Sequence, residues 1–394
     1  MKADVVIVSA ARTPIGKFGG ALKDLSSGHL GSLIIQAVIR RAGIIPDQVD
    51  EVILGEVRQS TESSNVARIA ALRAGIPENS PAFTVNRLCA SGMQAIGSGV
   101  QQIAFGHGEI LVVGGVENMS RSPIYLRNAR FGEGNPVLVD SNLENGQQPM
   151  DIYGSHLSMG MTAENVAERY GITREEQDVF ALQSQQRTKA AMEAGKFKEE
   201  IMPVEVKQKK QTVIFDTDEF PRPDSTLEGL KRLRPAFKAG GTVTAGNACG
   251  RNDGAAALVI MSSAKAKALG LKPLARIVDW SHAGVSPEVM GIGPVLALEK
   301  LWERTGKSLS DVGLIELNEA FAAQSLAVIR LAGLNPEKVN VNGGAIALGH
   351  PLGATGARIV VTLLYEMMRR QEQLGVATLC VGGGQGMAIM LELV

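Results

Sequence analysis

The chain has 394 residues, 45% hydrophobic and 20% charged, and its 40 basic side chains balance 40 acidic ones, so no global field draws it to nucleic acid or a membrane surface. No apolar run reaches the roughly 18–20 residues of a membrane span, the N-terminus lacks a signal-peptide pattern, and the C-terminus carries no peroxisomal tripeptide, which makes a cytoplasmic location the expectation. Three cysteines in so long a chain argue against a disulfide framework, and the paired spacings of a zinc site are absent.

In chain order, residues 5–9 read as a strand, 29–42 have a helical period, and 51–55 read as another strand. This alternation continues to the C-terminus and predicts parallel sheets with helices on their faces. A strand at 83–85 then runs into NRLCASGMQAI, where Met93, Ile96, Val100 and Ile103 mark one face of a helix. Cys89 therefore falls at or just before a helix N-terminus, where unpaired N–H groups and the helix dipole favour thiolate. The competing reading is a buried structural cysteine.

Residues 120–245 break the alternation. They hold a Pro-, Gly-, Asn- and Gln-rich stretch at 131–149, helical patterns at 163–169 and 174–194, and a charge run at 207–210 that reads as solvated surface. Beyond them, the strand 314–317 leads to NEAFAAQ. Asn318 there is either the N-cap of the next helix or an amide that orients a water. The glycine-rich segment 342–356 places His350 between Gly349 and Pro351, just before a helix with Val360, Leu363, Leu364 and Met367 on its apolar face. That rigid setting lets a ligand approach closely, unless the backbone simply satisfies the ring. Cys380 ends a strand and precedes VGGGQG, which matches neither phosphate-binding fingerprint; N–H groups bared by its glycines suit an oxyanion.

Three segments recur in order: 52–56 is echoed by 314–319, 84–86 by 341–344, and 111–115 by 379–383. The reading is two similar α/β halves, 1–120 with 245–268 and 269–394, around an inserted domain at 121–244. Such halves meet across a pseudo-twofold axis, with strand ends and helix starts facing one site.

Together these segments resemble the thiolase family over essentially the whole chain. The matching text is NRLCASGMQAI, GGVENMS (114–120), GTVTAGNACGRNDGAAA (241–257), NEAFAAQ (318–324), NGGAIALGHPLGATGARI (342–359) and CVGGGQGMA (380–388). The resemblance implies a duplicated five-layer α/β/α/β/α core with an inserted loop domain. It implies that Cys89 takes an acyl group from an acyl-CoA thioester, that His350 accepts the thiol proton, and that Cys380 removes the α-proton of a second acetyl-CoA. Two oxyanion sites go with it, one from His350 and a water on Asn318, the other from the N–H groups of Cys89 and Gly382. Coenzyme A is then substrate and product, with no metal or redox cofactor required. Arg222 matches a CoA-contacting position, within a basic cluster that includes Lys231, Arg232, Arg234 and Lys238. Met159 and Met290 match acyl-pocket positions, with Phe237 and Phe321 as walls.

The sequence departs from the family in two places. Cys249 stands where many members have a serine that contacts CoA or substrate, and a thiol is a weaker donor. Ser158, rather than His, precedes Met159, which leaves room for 3-ketoacyl chains longer than acetoacetyl. The expected activity is an acetyl-CoA C-acetyltransferase. The alternatives are a broad-range 3-ketoacyl-CoA thiolase, a decarboxylating ketosynthase-like enzyme, which would favour a second His at 318, and a non-catalytic acyl-CoA carrier. The resemblance also implies a homo-oligomer, a dimer or a homotetramer paired through a loop like 121–145.

Overall fold

The computed structural model describes residues 4–132, 134–144, 146–208 and 211–394. Its first half contains β1 (Val5–Arg12), β2 (Gly16–Lys17), α1 (Ser27–Ala42), β3 (Glu51–Gly55), α2 (Val66–Ala74), β4 (Ala82–Val85), α3 (Ser91–Phe105) and β5 (Ile110–Asn118). The inserted region carries the hairpin β6 (Ile124–Arg127) and β7 (Val137–Asp140), then α4 (Met150–Tyr153), α5 (Met159–Arg169) and α6 (Arg174–Glu193). A second hairpin, β8 (Val204–Gln208) and β9 (Gln211–Phe215), and α7 (Leu227–Lys231) complete it. The chain then returns through β10 (Asn252–Ser262) and α8 (Ser263–Ala268). The second half is β11 (Ala275–Gly284), α9 (Gly293–Thr305), β12 (Leu314–Leu317), α10 (Ala322–Leu331), α11 (Ala345–Leu348), α12 (Leu352–Arg370), β13 (Leu374–Val381) and β14 (Gln385–Leu393). Of the charge run at 207–210, Lys207 ends exposed on β8, while Lys209 and Lys210 lie outside the described residues, as does Asn145 at the end of the 121–145 loop.

The long sheet runs β12-β13-β14-β11-β1-β10-β5-β3-β4, and its symmetry explains the sequence echo. β3 lies parallel to β5 and β4, as β12 lies parallel to β13 and to a bridge at Val339. β1 and β11 join the halves antiparallel through Val6 with Arg276 and Ile7 with Ala275. The expected parallel sheets are therefore mixed ones. β10 returns antiparallel between β1 and β5, and β14 between β11 and β13. The cause is visible at β13–β14, where Gly383 and Gly384 adopt φ of 75° and 85° and close a tight hairpin, a connection available only to antiparallel strands.

Strand alternation sorts the core into three apolar seams and hence five layers. On β10, Ala255, Ala257, Val259 and Met261 face α1 and α2, whereas Ala256, Leu258 and Ile260 face the middle layer of α3 and α12. On β14, Met387, Ile389 and Leu391 face that middle layer, and Ala388 and Met390 face α9. The chain is thus the duplicated five-layer α/β/α/β/α architecture.

Candidate active site

The two central helices meet at their N-termini, and glycine permits it. A Cβ on Gly92 would stand 2.8 Å from the Gly353 oxygen and from the Ala357 nitrogen, and one on Gly356 would stand 2.5 Å from the Met93 nitrogen. Cys89 and His350 immediately precede α3 and α12, so this crossing brings two distant segments together. Glu117 adds a polar tie: its carboxylate accepts from the N–H groups of Val57, Arg58 and Gly353 at 2.8–3.0 Å.

Cys89 sits on a strained elbow. Leu88 adopts φ 46°, unusual for a residue with a branched side chain. Side chains hold it there: the Leu88 N–H donates to Asn86 Oδ1 at 2.9 Å, and Ser91 Oγ donates to the Leu88 carbonyl at 2.7 Å. Such over-determined strain is found where a backbone is held in place for function. Burial pushes the Cys89 thiol upward, while the N–H groups of Gly382 and of Cys89 itself, which hydrogen-bond its sulfur, pull it down. The thiolate expected from the helix terminus is therefore not the resting form. Desolvation outweighs the local dipoles, and the thiol needs a base.

His350 carries an unpaired ring nitrogen. The ring is buried, and its pKa falls to about 3 through burial and the neighbouring charge of Arg358. Its Nδ1 lies 2.6 Å from Thr355 Oγ1, and that hydroxyl donates to the Pro351 carbonyl at 2.9 Å. The hydroxyl's single proton is thereby committed, so it accepts from Nδ1–H. This fixes the tautomer and leaves a lone pair on Nε2, which has no protein partner. Asn252 Oδ1 accepts from the His350 N–H at 3.0 Å and locks the backbone.

Cys380, one residue before the end of β13, is 1% exposed, and burial, with Cys89 and Cys249 close by, holds its thiol well above its ordinary range. It shares an apolar cluster with Met290, Phe321, Ala248 and the partly buried Met159. Gly382 reaches the same cluster, since a Cβ there would lie 3.2 Å from Leu88 and 3.4 Å from the Met159 sulfur. Phe237 meets Phe321 edge-on at 6.2 Å and lies flat against Gly160. The Cys249 N–H donates to the Ala320 carbonyl at 3.0 Å, and its thiol is pushed up to about 12, first by burial and then by Cys89.

Asn318 differs from one of its two expected roles. It does not cap a helix: α10 starts at Ala322, with the extended Phe321 at its N-cap. The Asn318 N–H instead continues the sheet to Thr378 O at 3.0 Å. Its side chain is buried, and neither Oδ1 nor Nδ2 has a protein partner. Buried polar atoms of this kind are hydrogen-bonded in native proteins, by ordered water where protein offers nothing.

The structure thus gathers Cys380, Met159, Met290 and Phe321 into one cluster, with Gly382 and Phe237 against it and the thiols of Cys89 and Cys249 close to that of Cys380. Arg222 is placed differently, its guanidinium 5.5 Å over the Phe220 ring in a recess shared with Lys17, Phe18 and Arg251. In the basic segment, Lys238 pairs with Glu168 at 2.8 Å. Among the described residues, no group of three or more His, Cys, Asp or Glu is set to hold a metal ion. The reading from sequence passed over Thr355, Glu117 and Asn252. The signal available for Glu117 was an acid in an otherwise apolar strand.

Residues 5–264 match the family described as thiolase, N-terminal domain, and residues 271–393 match thiolase, C-terminal domain. An acetyl-CoA acetyltransferase of Pseudomonas aeruginosa is 52% identical, over 98% of this chain and 99% of that one. A probable acetyl-CoA acyltransferase of Staphylococcus aureus is 50% identical over 98% of each. The crystal structure of the Bacillus anthracis acetyl-CoA acetyltransferase superposes with a TM-score of 0.97 at 49% identity, covering 100% of this chain and 99% of that one. Human mitochondrial 3-ketoacyl-CoA thiolase does so with 0.95 at 45%, with the same coverage. The chain belongs to the thiolase family.

Proposed function

We propose that this chain is an acetyl-CoA C-acetyltransferase, reversibly joining two acetyl-CoA molecules into acetoacetyl-CoA and CoA through an acyl-Cys89 intermediate, with thiolysis as the reverse reaction. The observation that supports the reading is Cys89 beneath the Gly382 N–H and close to a second buried thiol, with the start of α3 against that of α12, where the His350 tautomer leaves its Nε2 lone pair free.

His350 Nε2 takes the Cys89 proton as the sulfur attacks the thioester carbonyl. The N–H groups of Cys89 and Gly382 receive the oxyanion. As the carbon–sulfur bond to CoA breaks, Cys380 protonates the departing thiolate and becomes a thiolate itself. Buried as it is, that thiolate is a strong base. It takes the α-proton of the second acetyl-CoA, while Nε2–H of the His350 imidazolium and a water on Asn318 hold the enolate oxygen. The enolate carbon attacks the acyl group, and Cys89 leaves and recovers its proton from His350. Cys380 keeps the α-proton, so the cycle closes with no metal or redox cofactor.

Under this reading, 1–120 with 245–268 carries the nucleophile, 269–394 carries the base and enolate site, and 121–244 covers the substrate. Arg222 and the basic segment around Lys238 meet the CoA phosphates, and Cys249 borders the pantetheine. A homo-oligomer accords with the β6–β7 hairpin, which exposes Ile124, Leu126, Val137 and Leu138. Among the described residues, no helix is long and apolar enough to cross a membrane, and a cytoplasmic location is part of the proposal.

The second reading, a broad-range 3-ketoacyl-CoA thiolase, is favoured by Ser158 ahead of Met159. The test is CoA-dependent thiolysis of acetoacetyl-CoA beside a longer 3-ketoacyl-CoA. Cleavage of the short substrate alone supports the first reading, and comparable cleavage of both supports the second. Cleavage of neither, with acyl-CoA binding retained after Cys89→Ala, overturns both in favour of a carrier.

A further inference from the structure

Deep in the middle layer, Arg358 is 2% exposed, and its guanidinium has no hydrogen-bond partner among the described residues. It does have a charge partner: Glu316 Oε2 lies 3.8 Å from Nη1, and their side chains are 2% and 4% exposed. Glu200 and Glu319 act on the same charge from further off, but only Glu316 is in ion-pair contact, and a buried pair of this kind stabilises a fold poorly compared with apolar packing, which raises the question of what the pair does.

Its position in the two elements answers. Side chains two apart on a strand share a face, and those three apart on a helix lie one above the other. On β12, Leu314 packs into the α12 seam while Ile315 and Leu317 pack into the opposite one. Glu316 and Asn318 therefore leave β12 on the α12 side. On α12, Thr355 and Arg358 are three apart, and Thr355 holds the His350 ring. Glu316–Arg358 spans the gap between the two elements. One step toward the site, Asn318 leaves on the same side, toward the start of α12 that follows His350.

The other supports of these groups act in different directions. His350 is fixed within its own helix start by Thr355, and by Asn252. The end of β12 is fixed in the plane of the sheet, where Asn318 N–H donates to Thr378 O and Asn340 both accepts from Leu317 N–H and donates to Leu317 O at 2.8 Å. Those bonds do not set how far β12 stands from α12. The Glu316–Arg358 contact lies along that direction.

We propose that the Arg358–Glu316 ion pair is a positioning device that sets the distance between Asn318 and His350, and so builds the enolate site while leaving acyl transfer to Cys89 alone. The inference rests on the thiolase reading above and adds two residues to it. Neither touches substrate.

The experiment separates two half-reactions on the full chain. Transfer of the acetyl group from acetyl-CoA to isotopically labelled CoA needs Cys89, His350 and the Cys380 proton, but no enolate. Deuterium uptake from D2O into the acetyl methyl of acetyl-CoA also needs the enolate site. In Glu316→Gln, deuterium uptake is expected to fall at least about tenfold, while CoA exchange stays within about threefold and KM for acetyl-CoA within about twofold. Arg358→Lys retains more deuterium uptake than Arg358→Met. Since a single change leaves an unpaired buried charge that can prevent folding, the decisive variant is Glu316→Leu with Arg358→Met, which removes both charges and keeps the volume. Loss of deuterium uptake with retained CoA exchange in that folded double variant supports the proposal. Wild-type deuterium uptake, or an equal fall in both half-reactions, overturns it. A wild-type chain that performs neither half-reaction would count against the thiolase reading, not against the pair.

Discussion

Thr355 is the cheapest place to test whether the histidine tautomer matters. Thr355→Val keeps shape and volume but removes the oxygen that accepts from His350 Nδ1 at 2.6 Å. The ring then has two options. It keeps the proton on Nδ1, where a buried unpaired donor costs about 1–3 kcal/mol. Or it moves the proton to Nε2 and loses the lone pair that receives the Cys89 proton. The first option shows as lost stability, and the second depletes the productive form by up to that energy, a fall in kcat of up to roughly 5- to 150-fold. Thr355→Ser restores the oxygen and most of the rate. The assay is thiolysis of acetoacetyl-CoA, run beside iodoacetamide alkylation of Cys89 at neutral pH, since both draw on the same proton transfer. A valine variant with wild-type kcat and alkylation rate, and an unchanged melting temperature, would refute the tautomer argument.

Other outcomes follow from the buried acids and thiols. Glu56 is buried, and burial followed by the like charge of Glu117 raises its pKa to about 8. Its proton stays on in the folded chain between the ordinary carboxylate range and that value but is lost on unfolding, so stability falls as pH rises through this window. Glu56→Gln should flatten that slope, gaining up to about 4 kcal/mol over wild type at pH 8 and little at pH 5, as read by denaturant titration. His350 stays neutral far below pH 6, so an acid limb of kcat/KM centred near 6.5 that disappears in His350→Asn would contradict its placement. Alkylation at pH 8 should label Cys89 alone, because Cys249 holds its proton to about 12 and Cys380 is buried; labelling of Cys249 at a comparable rate would show that its environment is wrong. Phe237→Ala should raise kcat/KM for a longer 3-ketoacyl-CoA relative to acetoacetyl-CoA several-fold, and no change in that ratio would remove Phe237 from the pocket wall.

What the sequence discloses is what local chain geometry dictates. Cys89 and His350 stand out because each precedes a helix whose apolar face is readable, and a residue at a helix start has a defined direction. The duplication is legible because strand echoes keep their order even where spacings drift. Asn318 was ambiguous, since the same amide suits an N-cap or a site, and only the continued pairing to Thr378 and the later start of α10 remove the cap. Direction within the sheet was lost because alternating strands and helices look alike whether a strand returns parallel or antiparallel; the three glycines after Val381 were the available sign of a hairpin. The weight of burial on Cys89 was not legible for a different reason. A helix terminus is visible in sequence, but burial depends on which distant elements close over it, and here α12 and the Gly382 loop do so. The same holds for Glu316 and Arg358. Each alone reads as an ordinary charged residue on a strand or helix, and their meaning appears only when β12 and α12 are stacked. Residues that carry the reaction are therefore marked locally by the backbone they need, whereas residues that hold those groups in place are marked only by pairs across the fold.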